Sequence, residues 1–224
     1  MHSTLDPINS AAADSLSEAV YESLLEAVVT GKLPSGAILS EVSLAKTLQV
    51  SRTPVHDALR QLAKDGLVEQ QTGHRARVVQ FTADDVYEIF EVRKYLEGPA
   101  AELAAGRMDQ RQLAPLKEAS DQLAADRRAP DWLARWTAFD DLFHRTIADS
   151  SGNKRLAQDI HRYRILHRGF KRMSAGAEVL QQALQEHCAI LDALMARNGK
   201  QARDAMIAHI ATWQDFFIRH FPRA

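Results

Sequence analysis

The sequence predicts a mainly α-helical chain in two parts: a winged helix-turn-helix over about residues 14–80, then an antiparallel all-helical bundle over about 82–220. Three observations predict it. Helical apolar periodicity dominates, and from Thr82 onward no strand-like stretch interrupts it. Before that point two short extended segments, Leu67–Gln70 and Ala76–Val79, flank a glycine-containing turn and read as a β-hairpin. Short breaks rich in Gly, Pro, Asn and Ser cut the C-terminal stretch into six helices, and loops that short imply antiparallel neighbours.

The elements follow in order. A first helix is expected over about 15–30, with Val20, Leu24, Leu25 and Val28 as its apolar stripe and Gly31 ending it. Leu33-Pro34-Ser35-Gly36 makes a turn. A short helix over about 41–48 carries Val42, Leu44, Ala45 and Leu48, and Gln49-Val50-Ser51 turns the chain. A third helix begins near Ser51–Pro54, where a hydroxyl residue and an early proline suit a helix start, and Gly66 stops it. The hairpin tip is Gln71-Thr72-Gly73-His74-Arg75, and Gln80-Phe81-Thr82 marks the domain boundary. The bundle helices are expected near 83–105, 109–127, 131–150, 154–174, 177–197 and 200–219.

Composition excludes several classes. Of the 224 residues 46% are hydrophobic and 25% charged, as in an ordinary globular protein. The one cysteine, Cys188, rules out a disulfide within the chain and fits a reducing compartment. The first twenty residues lack the basic and apolar regions of a signal peptide, and no apolar run approaches the ~20 residues that span a bilayer. The expectation is a cytoplasmic protein without a membrane partner. Net charge is -1, but from Lys32 to Arg77 seven basic residues face four acidic ones. That excess is too mild to identify a nucleic-acid binder alone.

The segment around the third helix is more specific. The phrase Val50-Ser-Arg-Thr-Pro-Val55, followed by Ala58-Leu59, Leu62 and Gly66-Leu-Val68, resembles the winged-helix domain of the GntR family of bacterial regulators. Its apolar positions fill a small core and leave Ser51, Arg52, Thr53, His56 and Asp57 at the start of the helix that enters a major groove in such domains. Arg52 is the candidate base contact, because a guanidinium donates two hydrogen bonds to guanine O6 and N7. Ser51 and Thr53 suit phosphate oxygens. His56 is a base or phosphate contact, and His74 and Arg75 at the wing tip suit the minor groove or the backbone. Similar GntR proteins usually carry arginine where His56 stands, so the operator sequence does not transfer from them.

The bundle holds an anomaly. His187 sits in the apolar stripe of Leu180, Leu184, Leu191 and Leu194, and His209 in that of Ala202, Met206, Trp213 and Phe216. The two histidines lie eleven residues before Asn198 and ten after Gly199, so in a helical hairpin both stand about 16 Å from the turn, side by side. Asp140 falls in the stripe of Trp136, Phe143 and Ile147, with His144 one turn on. Buried groups of this kind need partners, and a divalent metal satisfies all four. Zinc is the first expectation for three imidazoles and a carboxylate, with nickel, manganese or iron also compatible. Cys188 is expected to be a packed thiol, and His161, His167 and His220 to lie on the surface.

Asp140-Asp-Leu-Phe-His144, Ser151-Gly-Asn153, Glu186-His187 and His209 together resemble the FCD ligand-binding domain of the FadR subdivision of GntR regulators, in its shorter six-helix form. The resemblance implies that Asp140, His144, His187 and His209 hold a metal beside an organic-acid effector, and that a homodimer joined through the first bundle helices reads a palindromic double-stranded operator. Arg93 matches an arginine of the first FCD helix, where it either pairs with an effector carboxylate or with Glu97 one turn away. The basic run from Arg162 to Arg172 is expected to be mostly a solvated face. The implied function is a non-enzymatic regulator, in the sense of a repressor released by its effector. Two rivals remain at this point: a metal-dependent hydrolase fused to a winged helix, which needs an open metal position and a general base, and a regulator for which the ion itself is the signal.

Overall fold

The computed structural model describes Leu5 and residues 13–69, 75–170 and 177–220. It divides into two compact units, residues 1–82 with 165–172, and residues 83–164 with 173–224.

The first unit contains α1 (Ala13–Thr30), β1 (Ile38–Leu39), α2 (Glu41–Leu48), α3 (Arg52–Lys64), β2 (Val68–Glu69) and β3 (Ala76–Val78). α1 and α2 both pack on α3; of the apolar residues of α2, Leu44, Ala45 and Leu48 are buried, whereas Val42, in its first turn, is exposed. Val20, Leu24, Leu25, Leu44, Leu48, Val55, Leu59 and Leu62 meet in a core that excludes water almost completely. Ser40 caps α2 through a side-chain oxygen that accepts from Ser43 N, and Gln49 ends it in the left-handed conformation at φ 57°. Ser51 occupies the N-cap position of α3 with extended backbone, but its hydroxyl makes no capping bond. At the far end the Tyr21 hydroxyl donates to Asp65 Oδ2 at 2.9 Å, tying α1 to the last turn of α3.

The sheet has three antiparallel strands in the order β1-β3-β2. Ile38 pairs with Arg77 and Val68 with Val78. The hairpin of β2 and β3 is legible in the sequence, whereas β1 leaves no signal there. Two residues carry no periodicity, and β1 exists because Gly36 N and Ala37 O bond Val78 of β3. Gly36 at φ 77° makes the bend that permits this.

The second unit is all helix among the described residues: α4 (Ala83–Ala105), α5 (Gln110–Ala125), α6 (Trp132–Ser150), α7 (Lys154–Phe170), α8 (Ala177–Met195) and α9 (Gly199–His220), with α7 crossing the division after Arg164. α9 lies along α4 and α8, and α6 packs on α4 and α5. Asp109 starts α5 with a capping box closed by Gln112. Asn153 Oδ1 caps α7 by accepting from Arg155 N and Leu156 N. Within α9 the core position is Phe217, fully buried, while Phe216 is only half-buried. No helix of the described residues is long and apolar enough to cross a membrane.

Candidate metal centre and nucleic-acid interface

The start of α3 presents Ser51, Arg52, Thr53 and His56 to solvent, because Pro54, Val55, Ala58 and Leu59 take the inward positions of the same turns. Arg52 and His56 stand one turn apart and share one partner on α2. Arg52 Nη2 donates to Glu41 Oε2 at 3.3 Å, and His56 Nδ1 lies 2.9 Å from Glu41 Oε1. The His56 bond, more than that of Arg52, holds the Glu41 carboxyl below its ordinary pKa. Arg75 is exposed at the foot of the wing. His74 lies outside the described residues.

In the bundle the periodicity of three helices delivers four polar side chains to one interior point. Asp140 and His144 come from α6, His187 from α8 and His209 from α9, all buried. Each offers a donor atom, and these atoms lie within 4.8 Å of one another. His144 Nε2 and His187 Nε2 are 3.3 Å apart, and Asp140 Oδ1 is 3.7 Å and 3.6 Å from them. Donors set tetrahedrally at ~2.1 Å from a common centre are ~3.4 Å apart. The spacing and the donor set therefore fit a first-row divalent ion. Burial, and next the positive charge of Arg164, pushes His144 down to about 4. Burial, and next His209, pushes His187 well below its ordinary value. Both are neutral at physiological pH, as metal ligands must be.

A tier of charged groups stands behind the cluster. Glu97 of α4 sits between Arg93, whose Nε donates to Oε1 at 2.7 Å, and His144, whose Nδ1 is 2.5 Å from Oε2. Burial opposes charge on Glu97, but Arg93, His144 and Arg164 outweigh it and hold the carboxyl far below the usual range. Arg164 of α7 donates from Nη2 to Asp140 Oδ2 at 2.7 Å, so one oxygen of Asp140 faces the histidines and the other is held from behind. Glu186 Oε2 is 2.7 Å from His209 Nδ1.

Arg93 thus reaches the cluster through Glu97, the second of the two partners the sequence allowed it. Glu97, Glu186 and Arg164 were not among the expected site residues. The basic run was expected to be a solvated face, yet Arg164 is 8% exposed. Its signal was available: Ala157, Ile160 and Arg164 recur at helical spacing on the buried side of α7. His167 is also buried, against the surface position expected for it, on the same stripe. His161 and His220 stay partly or fully exposed, with His161 Nε2 2.9 Å from Asp149 Oδ1. Cys188 is half-buried, and burial raises its thiol pKa.

A winged helix joined to a helical unit with a buried donor cluster defines a DNA-binding regulator with its own sensory half. Comparison with known proteins agrees. Residues 16–78 match the model of bacterial regulatory proteins of the gntR family, and residues 88–212 match the FCD domain. The chain is 30% identical over 198 residues to a probable D-xylose utilization operon transcriptional repressor of Paenarthrobacter nicotinovorans, covering 87% of this chain and 85% of that one. It is 29% identical over 216 residues to the HTH-type transcriptional regulator LutR of Bacillus subtilis, covering 87% and 97%. The solved structure of E. coli McbR/YncC superposes with a TM-score of 0.78 over 92% of this chain and 99% of that one, at 21% identity, a likeness of fold. The chain belongs to the GntR family: it is a transcriptional regulator with a DNA-binding GntR domain and an FCD effector-binding domain.

Proposed function

We propose that this regulator is a metal-holding repressor whose hold on its operator is released by an organic acid. The observation that carries the reading is the convergence of Asp140, His144, His187 and His209 on one buried point. In this reading those residues would hold a divalent ion, zinc first, and the ion when bound would take a carboxylate oxygen as a fifth ligand. An effector beside the ion is supported by the match of residues 88–212 to the FCD domain.

On the operator, Arg52 reads a base edge, His56 contacts a base or a phosphate, and Ser51, Thr53 and the wing residues His74 and Arg75 bind phosphates or the minor groove. The free hydroxyl of Ser51 supports this, since it is not spent on capping. One winged helix covers too little DNA for high specificity, so a homodimer on a palindrome in the cytoplasm is the working form. The effector releases DNA to the extent that it binds one arrangement of the domains more tightly than the other.

The test combines metal analysis of the purified protein with fluorescence anisotropy on the DNA upstream of its own gene. We expect about one divalent ion per chain and operator affinity weakened by one member of a carboxylic-acid panel. A protein that carries no divalent ion even after incubation with zinc removes the metal half of the reading. Equal affinity for upstream and scrambled DNA removes the operator half.

A further inference from the structure

We infer that Glu97 and Glu186 are positioning residues of the metal centre, each fixing one histidine of the cluster in the tautomer that can ligate, while the third, His187, is packed among aromatic rings with no carboxylate on its Nδ1. The inference rests on the cluster being a metal site and goes beyond it to the residues that set its affinity.

A neutral imidazole has one N–H and one lone pair, and a metal takes the lone pair. A carboxylate accepts hydrogen bonds and cannot donate them. Glu97 Oε2, 2.5 Å from His144 Nδ1, therefore requires the proton on Nδ1 and leaves the lone pair on Nε2, the nitrogen that faces His187 and Asp140. Glu186 Oε2, 2.7 Å from Nδ1 of His209, imposes the same tautomer there. Each carboxylate comes from a different helix than its histidine: Glu97 on α4 for His144 on α6, Glu186 on α8 for His209 on α9. Four helices are thereby tied to the orientation of two rings. Consecutive residues on α8 point about 100° apart, so Glu186 reaches His209 while His187 enters the cluster.

His187 is built differently. Its Nδ1 is buried without a hydrogen-bond partner. Its ring lies among Trp136, Phe139 and Phe143, with centroids 6.3, 5.5 and 4.4 Å away. No carboxylate meets Nδ1 of this ring; its Nε2 faces His144 Nε2 at 3.3 Å and Asp140 Oδ1 at 3.6 Å, inside the cluster.

The experiment uses the full chain and zinc, competed against a chromogenic chelator, with the ring nitrogens read by 15N NMR on the metal-free protein. Glu186 is partly exposed and no arginine depends on it, so E186A is the primary variant. We expect E186A to bind zinc about 10–100-fold more weakly and His209 to change from one tautomer to a mixture. E186Q keeps an acceptor oxygen and should recover part of the loss. E102Q, on an exposed carboxylate that pairs with Arg203 away from the cluster, should match wild type. Because Glu97→Gln alone strands the buried Arg93, the double variant E97Q/R93Q tests the second position, with its fold checked by circular dichroism. Wild-type zinc affinity and an unchanged His209 tautomer in E186A overturn the inference while the metal reading stands. A wild-type protein that binds no zinc overturns both.

Discussion

A buried imidazole is tolerated when it is neutral and its ring nitrogens have partners, and by that measure the three histidines are unequal. His187 has no partner for Nδ1, and a buried polar atom left unsatisfied costs about 1–3 kcal/mol. Replacing it by leucine removes that cost along with a ligand. His187→Leu should therefore abolish tight zinc binding yet leave the metal-free protein at least as stable as wild type in urea unfolding; a large loss of metal-free stability would count against the orphaned nitrogen. At the proposed DNA face, the Arg52 side chain is 69% exposed and pairs with Glu41. Arg52→Ala should cost about 1–3 kcal/mol on the operator and relax selection at one base pair. A uniform loss across all base substitutions would make Arg52 a phosphate contact instead. Residue identity alone announced Asp140, His144, His187 and Arg52, since each is a polar group in an unusual place on a regular pattern. Glu97 and Arg164 were harder to see because a long charged residue on a helix is usually solvated. Only a partner from another helix makes its burial tolerable.

At the scale of elements, α3 is held at both ends by side chains outside it, Glu41 of α2 at its start and Tyr21 of α1 at its close. The second tie has a pH signature. Burial, then the bond to Asp65, raises the Tyr21 pKa. A raised pKa means that the unfolded chain loses this proton before the folded one does. The stability it contributes is full below the unfolded value of about 10 and is lost as pH climbs beyond it. Tyr21→Phe should cost about 2 kcal/mol at neutral pH and flatten the alkaline limb of the unfolding profile. An unchanged alkaline limb would place that limb's origin elsewhere. The helices were legible from apolar spacing and from breakers such as Gly66 and Asn153. β1 was not, because a two-residue strand is made by its partner β3. The choice of Phe217 over Phe216 as a core residue was equally hidden: adjacent phenylalanines at the end of α9 fit the stripe almost equally, and packing on Phe90, 5.7 Å away between centroids, selects one.

For the whole molecule, two compact units imply two stabilities, and the proposed metal site belongs to one of them. A ligand that binds only the folded state at a thousand times its Kd contributes about 4 kcal/mol. Stripping the protein with a chelator should therefore lower the melting of the helical unit and leave that of the winged helix in place, read by calorimetry with and without zinc. A chelator-insensitive thermogram would show that the cluster contributes no metal-linked stability. The sequence alone determined the order of helices, the winged-helix motif and the four convergent donors, because each is written in spacing along the chain, and spacing is all that a helix needs to choose its buried face. Tertiary structure alone decided the pairings Glu97–His144, Glu186–His209, Arg164–Asp140 and Glu41 with Arg52 and His56. Each joins residues on different helices, and which faces meet depends on packing that no local pattern records.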